Sequence, residues 1–221
     1  MSEKLPLKFD ADGLVTVVVQ DHLTGEVRLV AHASIEAIQA TLDTGRATFW
    51  SRSRGELWEK GQTSGNDIVV KRVLVDCDAD CLVYLAEPHG PSCHTGAPSC
   101  FFQAIEHGGV VQKAEQPQTV LARLEETLEA RKASSAGASY TKSLYDGGPA
   151  KIGAKIREEA AELAAAIDKE TDARVVAEAA DVVYHLLVGL RHRGIAWRDV
   201  LAALDARAET SGHDEKAGRA S

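Results

Sequence analysis

The segment IVVKRVLVDCDADC, from Ile68 to Cys81, joins a run of β-branched residues to a cluster of potential metal ligands. Its first part, Ile68–Val75, has the composition of a β-strand. Continuing the two-residue alternation of a strand through residues 76–80 places three carboxylates on one face and Cys77 on the other. Because crowded carboxylates repel one another unless a cation neutralises them, the pattern predicts a Mg²⁺ site. The predicted ligands are Asp76, Asp78 and Asp80. The alternative is a solvated acidic turn that ends the strand.

The same β-rich texture extends over the first half of the chain. Short apolar runs, separated by turn signals such as Thr24-Gly25, predict strands at residues 14–19, 27–31, 68–75 and 82–85. One helix is predicted at residues 34–42, with Ser34 as its N-cap and Gly45 beyond its end. We therefore expect a mainly β, α+β domain at residues 1–112.

The second half of the chain contains helical patterns and no convincing strand. Apolar residues at three- and four-residue spacing predict helices at residues 119–132, 150–169, 172–193 and 197–208. Residues 134–148 are rich in Ser, Gly and Ala, which predicts a flexible connection. The tail from Thr210 is predicted to be disordered. We therefore expect an all-α domain at residues 118–210.

Composition restricts the class of protein. No apolar run approaches the roughly 20 residues that a membrane-spanning helix needs, and the start of the chain lacks the apolar core of a signal peptide. We therefore expect a cytoplasmic protein that binds no membrane, in which cysteines serve as metal ligands or reactive thiols and not as disulfides. The net charge of −8 argues against nucleic-acid binding, which requires a basic surface.

All four cysteines lie between residues 77 and 100, which suggests a thiolate metal site. Cys77, Cys93 and Cys100 form a candidate Zn²⁺ set whose fourth position stays open for water, as in catalytic zinc sites. A structural site closed by Cys81 or His94 is the alternative, and the spacing does not decide between them. His94, beside Cys93, could move a proton for the zinc water or orient a ligand by hydrogen bonding.

Two polar tracts contain the side chains of a phosphate pocket. Guanidinium groups, hydroxyls and permissive glycines occur in residues 51–54 and 60–66, and Trp58 between the tracts could stack on a base. The candidate substrate-binding residues are Arg52, Ser53, Arg54, Trp58, Lys60, Ser64 and Asn66. For this composition alone, a polar surface loop between strands is the favoured interpretation.

Several ordered motifs between about residues 14 and 102 resemble the phosphoribosyl-AMP cyclohydrolase family. They are Val19-Gln20-Asp21, Thr24-Gly25-Glu26, Trp50-Ser51-Arg52-Ser53-Arg54, Leu57-Trp58-Glu59-Lys60-Gly61, Ser64-Gly65-Asn66, the aspartates of residues 76–80, Cys93-His94-Thr95-Gly96 and Ser99-Cys100-Phe101. The resemblance implies hydrolytic opening of the adenine ring of phosphoribosyl-AMP in histidine biosynthesis. It also implies Mg²⁺ on the three aspartates, Zn²⁺ on the three cysteines, and a homodimer in which Cys77 completes the partner chain's zinc site. Cys81 is a further thiol that this pattern does not use.

Two helices of the second half carry carboxylates at helical spacing. Glu158, Glu159 and Glu162 share one side of a helix, and Glu178 and Asp181 are three residues apart on the next helix. Packing these helices against each other would gather the carboxylates into a cluster that Mg²⁺ could stabilise for polyphosphate chemistry. Ordinary charged helix surface is an equally strong interpretation of the pattern alone.

This second half resembles the all-α, MazG-like nucleotide pyrophosphatases, and specifically phosphoribosyl-ATP pyrophosphatase. The supporting motifs are Ser139-Tyr140-Thr141, Lys151-Ile152-Gly153, Lys155 before the glutamates, and Asp181-Val182-Val183-Tyr184-His185-Leu186. The resemblance implies that the five carboxylates bind Mg²⁺ and that Lys142, Lys151 and Lys155 contact phosphate. Water attack on phosphoribosyl-ATP would then release pyrophosphate and leave phosphoribosyl-AMP.

The expected product of the second half is the expected substrate of the first half. The sequence therefore predicts a bifunctional, nucleotide-binding hydrolase that catalyses consecutive steps of histidine biosynthesis. One alternative keeps the cyclohydrolase and makes the helical half a general nucleotide pyrophosphatase or an inactive domain. Another makes the zinc site structural and the helical half a dimerisation module.

Overall fold

The computed structural model describes residues 6–107, 109–111, 119–133 and 139–208. The chain divides into two compact units, residues 1–119 and 120–221. The first unit is mainly β and the second is helical, which confirms the predicted fold class. The predicted disorder from Thr210 onward concerns residues outside the described ranges. None of the described helices combines the length and the apolar character that crossing a bilayer requires.

The first unit is built on a four-stranded sheet with the order β2-β1-β6-β5. Strands β1 and β6 run parallel, whereas β1–β2 and β5–β6 are antiparallel pairs. Two short hairpins, β3–β4 and β7–β8, complete the strands. The elements are β1 (Val15–Asp21), β2 (Val27–Ala33), α1 (Ile35–Thr44), β3 (Thr48–Ser51), β4 (Glu56–Glu59), β5 (Ile68–Val75), β6 (Cys81–Pro88), β7 (Ala104–Glu106) and β8 (Gly109–Val111).

Helix α1 begins and ends where its local sequence predicts. The Ser34 side chain accepts a hydrogen bond from the backbone N–H of Ala37, which satisfies a donor of the first turn. Gly45 ends the helix at φ +70°, a left-handed conformation that a glycine adopts without steric cost. Ala37 and Ile38 are buried in the same core as Val17, Phe49 and Tyr84 of the strands, so packing stabilises this short helix.

The alternation of the sequence predicted that the strand continues after β5. This prediction is wrong. Residues 76–80 form the turn of the β5–β6 hairpin, in which Val75 pairs with Leu82. Ala79 has φ +66°, and its carbonyl accepts a hydrogen bond from the backbone N–H of Lys8. Because the chain reverses here, the strand alternation does not determine where the aspartates point.

The second unit contains four described helices around one apolar core. They are α2 (Val120–Ala133), α3 (Tyr140–Lys169), α4 (Asp172–His192) and α5 (Trp197–Ala208). Leu128, Leu144, Ile152 and Leu187 are among the most buried side chains of this core. The connection between α3 and α4 is only residues 170–171, so these two helices pack as a helical hairpin.

The predicted flexible connection at residues 134–148 is wrong for its second part, and residues 134–138 lie outside the described ranges. Helix α3 already begins at Tyr140, with the Ser139 hydroxyl accepting from the backbone N–H of Lys142. Gly148, at φ +66° and ψ −166°, interrupts the helix before Pro149. Burial of Leu144 stabilises the first helical segment, although its composition is typical of a loop.

Two candidate active sites

The first unit contains a cavity of about 400 Å³ that gathers residues from distant parts of the sequence. Its wall includes apolar residues of β2, the segment that follows β4, and the loop that carries Cys93 and Cys100. Of the predicted site residues, the cavity is lined by Trp58, Lys60, Ser64, Asn66, Cys93, His94 and Cys100. The tracts at residues 60–66 and 93–100 therefore form one concave site.

The other predicted phosphate tract does not line this cavity. Arg52, Ser53 and Arg54 lie in the exposed turn between β3 and β4. Arg54 Nε is 3.2 Å from Glu56 Oε1 and donates to Ser51 Oγ at 3.3 Å. In one chain this tract is thus a solvated turn, and its role in substrate binding stays a prediction.

Cys93 lies in a tight loop that fixes the direction of its sulfur. Its carbonyl accepts from the N–H of Gly96, which adopts φ +86°, and the Thr95 hydroxyl donates to Cys93 Sγ at 3.1 Å. Burial acts to raise the pKa of Cys93, but hydrogen bonds, foremost from Thr95, lower it below its usual value. A lowered pKa favours the thiolate, which is the form in which a cysteine ligates a metal.

Cys100 is in hydrogen-bonding contact with Cys93. Burial and the neighbouring Cys93 raise the pKa of Cys100 to about 11. The pair therefore resists double ionisation unless a cation compensates both charges. Lys60 is the nearby buried cation: its Nζ donates to the Asn66 carbonyl at 3.3 Å, and burial lowers its pKa while Cys100 and Cys93 raise it.

Cys77 lies apart from these two thiols within one chain. It is exposed in the β5–β6 turn, and its sulfur does not form a group within 4.8 Å with those of Cys93 and Cys100. Two of the three predicted zinc ligands are thus adjacent, and the third faces solvent. This arrangement agrees with a ligand directed toward a second chain, although it does not test that prediction.

The same turn brings the three aspartates together. Oxygens of Asp76, Asp78 and Asp80 lie within 4.8 Å of one another, and all three residues are exposed. Asp76 accepts from the backbone N–H of Cys81 at 3.1 Å and of Asp80 at 3.0 Å, and these bonds, Cys81 first, lower its pKa. The charge of Asp78, with burial and Asp76, raises the pKa of Asp80. The turn therefore offers clustered oxygen ligands to a hard cation.

The helical unit gathers a second carboxylate cluster between α3 and α4. Oxygens of Glu159, Glu178 and Asp181 lie within 4.8 Å of one another, and the two glutamates are buried. Glu162 interacts directly with Glu178, whereas the exposed Glu158 pairs with Lys155 at 3.0 Å. The predicted meeting of carboxylates from two helices is therefore present in the structure.

Glu178 is the most buried member of this cluster. It is only 2% exposed, and its Oε2 has no hydrogen-bond partner among the described residues. Arg174 Nη2 contacts its other oxygen at 2.5 Å, yet burial and the carboxylates of Glu162 and Asp181 raise the pKa of Glu178. Unpaired buried carboxylates destabilise a fold, so the residues present fit a bound divalent cation.

The three lysines predicted to contact phosphate have different surroundings. Lys155 contacts Glu159 at 2.8 Å as well as Glu158, and these bonds raise its pKa. Lys142 pairs with Asp146, and Lys151 donates to the Ser143 carbonyl at 3.1 Å. Only Lys155 is therefore bonded to the carboxylate cluster.

Comparison with known proteins assigns each unit to a family. Residues 29–102 match the family model described as Phosphoribosyl-AMP cyclohydrolase, and residues 121–208 match Phosphoribosyl-ATP pyrophosphohydrolase. The "Histidine biosynthesis bifunctional protein HisIE" of Photobacterium profundum is 42% identical over 197 residues, covering 89% of this chain and 93% of that protein. The protein of the same name from Aquifex aeolicus is 42% identical, and the match covers 92% of this chain and 98% of that protein. The one from Deinococcus radiodurans is 40% identical, and the match covers 96% of each chain. The chain belongs to the HisIE family.

Members of the HisIE family join two hydrolases, and this chain has both. It is a bifunctional enzyme of histidine biosynthesis with a phosphoribosyl-AMP cyclohydrolase domain followed by a phosphoribosyl-ATP pyrophosphohydrolase domain. The predicted family and activities are thereby confirmed. Because the helical unit matches the second family model over residues 121–208, it is not merely a dimerisation module.

Sequence reasoning missed several residues at these two HisIE sites. Thr95 touches the Cys93 sulfur, Arg174 touches Glu178, and His185 lies 3.8 Å from Glu159. Thr95 and His185 lie inside the quoted motifs, so their closeness in sequence to the candidate metal ligands Cys93 and Asp181 was a usable signal. Arg174 lies four residues before Glu178 on the same predicted helix, so the i,i+4 spacing was the usable signal for this ion pair.

Gly61 shapes the loop that lines the cavity, and its replacement by alanine is expected to destabilise the first unit. Gly61 has φ +91°, and an added Cβ would overlap the backbone of Asp67. Strain and overlap together are expected to lower the free energy of unfolding by about 2 kcal/mol or more, measured by urea unfolding.

Gly65 provides the matched control for this prediction. It has φ +73° in the same loop, but an added Cβ would meet nothing within 4 Å. Gly65→Ala should therefore cost only about 1 kcal/mol, from the left-handed conformation alone. Equal losses in the two variants would show that the contact between Gly61 and Asp67 does not restrain the loop.

Proposed function

We propose that the cavity of the first unit binds phosphoribosyl-AMP and catalyses ring opening with Zn²⁺, and that the helical carboxylates release pyrophosphate from phosphoribosyl-ATP with Mg²⁺. The domain limits that we assign are residues 1–112 and 118–210. The observation that carries the first site is the convergence of Lys60, Cys93, His94 and Cys100 on one cavity. For the second site it is the buried Oε2 of Glu178, which has no hydrogen-bond partner among the described residues.

In the ring-opening reaction a water oxygen adds to ring carbon 6, the bond to ring nitrogen 1 breaks, and that nitrogen takes up a proton. Zn²⁺, when bound, supplies Lewis-acid activation of water at neutral pH. Cys93 and Cys100 provide adjacent sulfurs for it. His94 Nδ1 is 3.9 Å from Cys93 Sγ, which leaves Nε2 to accept a proton from the nucleophile.

The rest of the cavity suits the nucleotide. Trp58 offers a ring for stacking on the adenine base, and Ser64 and Asn66 offer hydrogen-bonding groups in the same cavity. The buried Lys60 ammonium can bind an anionic group or offset the charge of the thiolates. Arg52, Ser53 and Arg54 would contribute only if the β3–β4 turn reaches a site across an interface. Mg²⁺ on Asp76, Asp78 and Asp80 would neutralise phosphate charge.

In pyrophosphate release, the oxygen of water bonds to the α-phosphorus and the bond from that phosphorus to the bridging oxygen breaks. Pyrophosphate leaves with the bridging oxygen, and the proton lost by the water passes to solvent. Mg²⁺, when bound, supplies charge neutralisation for the polyphosphate. Glu159, Glu178 and Asp181 are the central ligands in this proposal, with Glu158 and Glu162 at the edge of the cluster. Lys155 orients Glu158 and Glu159, while Lys142 and Lys151 contact phosphate in this proposal.

We further propose a cytoplasmic enzyme whose partners are phosphoribosyl nucleotides and a second copy of the chain, and neither nucleic acid nor a membrane. The four free cysteines support a reducing compartment, since metal binding requires reduced thiols. The net charge of −8 supports the absence of nucleic acid binding.

One assay tests both halves of the proposal. Purified protein is incubated with phosphoribosyl-ATP, Mg²⁺ and Zn²⁺, while pyrophosphate and the ring-opened product are followed separately. Both products should form, with pyrophosphate first. Pyrophosphate without ring opening would contradict the role of the first unit. Ring opening only from supplied phosphoribosyl-AMP would contradict the role of the second.

The shared zinc site predicts complementation between inactive chains. Cys77→Ala and Cys93→Ala homodimers should each lack ring opening. In a heterodimer of the two variants, one zinc site is complete. It combines Cys77 of the Cys93→Ala chain with Cys93 and Cys100 of the Cys77→Ala chain. Differently tagged chains, coexpressed and purified as heterodimers, should therefore show about half of the wild-type ring opening. Heterodimers without activity would show that each zinc site draws its ligands from a single chain.

A further inference from the structure

The start of α3 and the middle of α4 are joined by a hydrogen-bonded pair next to the carboxylate cluster. Tyr140 Oη is 2.8 Å from His185 Nε2, and His185 Nδ1 is 2.9 Å from the carbonyl oxygen of Asp181. His185 is 3% exposed, whereas Tyr140 is 53% exposed. A buried imidazole thus holds the hydroxyl group of a half-exposed tyrosine.

For a neutral His185 imidazole, the chemistry of the three groups gives the direction of both hydrogen bonds. A carbonyl oxygen only accepts, so Nδ1 of His185 carries the hydrogen that Asp181 receives. In the neutral imidazole the other nitrogen, Nε2, is then an acceptor. The single hydrogen of the Tyr140 hydroxyl is therefore donated to His185. What Tyr140 presents to any further partner is an acceptor lone pair.

The hydroxyl lies at the edge of the proposed Mg²⁺ site. His185 Nδ1 is 3.8 Å from Glu159 Oε1, so a single ring separates Tyr140 from a carboxylate of the cluster. Burial raises the pKa of Tyr140, and the charges of Lys155 and Glu159 also act on it, which agrees with a hydroxyl beside these groups. The His185 ring packs edge-on against Tyr140 and Tyr184, at centroid distances of 5.9 and 5.1 Å, which restricts its rotation.

We propose that Tyr140 accepts a hydrogen bond from an O–H donor in the pyrophosphate-releasing site, and that His185 is the positioning residue that keeps Tyr140 an acceptor. The donor is either the attacking water or a hydroxyl group of the bound nucleotide. For water, this bond would direct a lone pair toward the phosphorus. Tyr140 takes no proton in the step. The inference rests on the proposed function of the helical unit and adds the group that orients its nucleophile or its substrate.

Four variants of the full-length protein test the pair, with pyrophosphate release from phosphoribosyl-ATP as the readout. Tyr140→Phe removes the acceptor, and His185→Leu removes the group that orients it. Each should lower kcat/KM about 10- to 100-fold, the cost of misplaced reacting groups. His185→Gln, whose carbonyl can accept from Tyr140, should recover most of the activity. Tyr184→Phe is the control, because its hydroxyl bonds Thr141 and not the pair.

The kinetic constants separate the two donors. A fall in kcat at unchanged KM identifies the attacking water, and a rise in KM at unchanged kcat identifies a nucleotide hydroxyl. Either result supports the proposal, provided that Mg²⁺ raises the melting temperature of Tyr140→Phe as it does that of the wild type. Ring opening of supplied phosphoribosyl-AMP, measured on the same samples, should be unchanged.

Three results would overturn the inference. The first is wild-type kcat/KM in Tyr140→Phe, which is expected to fold because Tyr140 is half-exposed. The second is an equal loss in Tyr184→Phe, and the third is a loss of Mg²⁺ affinity that accounts for the whole effect. Failure of the wild-type protein to release pyrophosphate would instead contradict the proposed function of the helical unit.

Discussion

Replacing Cys93 by alanine is expected to abolish ring opening of phosphoribosyl-AMP while leaving pyrophosphate release at the wild-type rate. Cys93 is buried in the cavity wall, hydrogen-bonded by Thr95 and in contact with Cys100. Loss of a group that only orients a metal ligand typically lowers metal affinity or activity 10- to 100-fold. Loss of a proposed zinc ligand itself should therefore lower the rate of ring opening about 1,000-fold or more. The rates of both reactions and the zinc content of the same sample measure the effect.

Cys81 supplies the matched control for this variant. It is a partly buried free thiol at the start of β6, outside the cavity lining. Cys81→Ser should keep zinc and both activities. Ring opening that survives in Cys93→Ala with zinc retained would contradict the proposed ligand set. Equal loss of both reactions would indicate a folding defect, which the melting temperature would reveal.

Replacing Glu178 by glutamine is expected to lower pyrophosphate release by about 100-fold or more while sparing ring opening. The amide keeps the shape of the side chain but removes the charge that, in our proposal, binds Mg²⁺. Because burial and neighbouring carboxylates raise the pKa of Glu178, its charged form is disfavoured in the fold without a cation. Without Mg²⁺ the variant should therefore be at least as stable as the wild type, and added Mg²⁺ should no longer raise its melting temperature.

Glu170→Gln is the control for this second prediction. Glu170 pairs with the same Arg174, at 3.3 Å, but is not a member of the carboxylate cluster. This variant should keep both pyrophosphate release and the stabilisation by Mg²⁺. A normal Mg²⁺ response in Glu178→Gln would show that the cation binds elsewhere.

Local sequence predicted those elements whose ends have a local cause. Helix α1 lies between Ser34 and Gly45 because a hydroxyl cap and a left-handed glycine act within a single turn. The prediction did not include β3 and β4, which are short and carry polar residues at their shared turn. Phe49 packs against its cross-strand partner Trp58 and against Tyr84 of β6, and the contact with Tyr84 is a tertiary contact that the local sequence does not specify.

The candidate sites likewise divide into features that local sequence predicts and features that depend on tertiary contacts. Spacing correctly brought Glu159 near Glu178 and Asp181, because helix periodicity and a two-residue connection leave little freedom. For the three aspartates the predicted proximity was right and its reason wrong, since a reversing turn and not a strand gathers them. The first segment of α3 could not be predicted from its Ser- and Gly-rich composition, because burial of Leu144 stabilises it.

The sequence by itself determined the types of ligand, their order and the two families. These are properties of individual side chains and of short spacings, and they stay the same whatever the chain's tertiary contacts. The tertiary structure alone decided which of these groups meet. It placed Lys60 with Cys93 and Cys100 around one cavity, left Cys77 apart in an exposed turn, and set His185 between Tyr140 and Glu159. Contacts between residues tens of positions apart depend on the packing of whole elements, so no local pattern could have specified them.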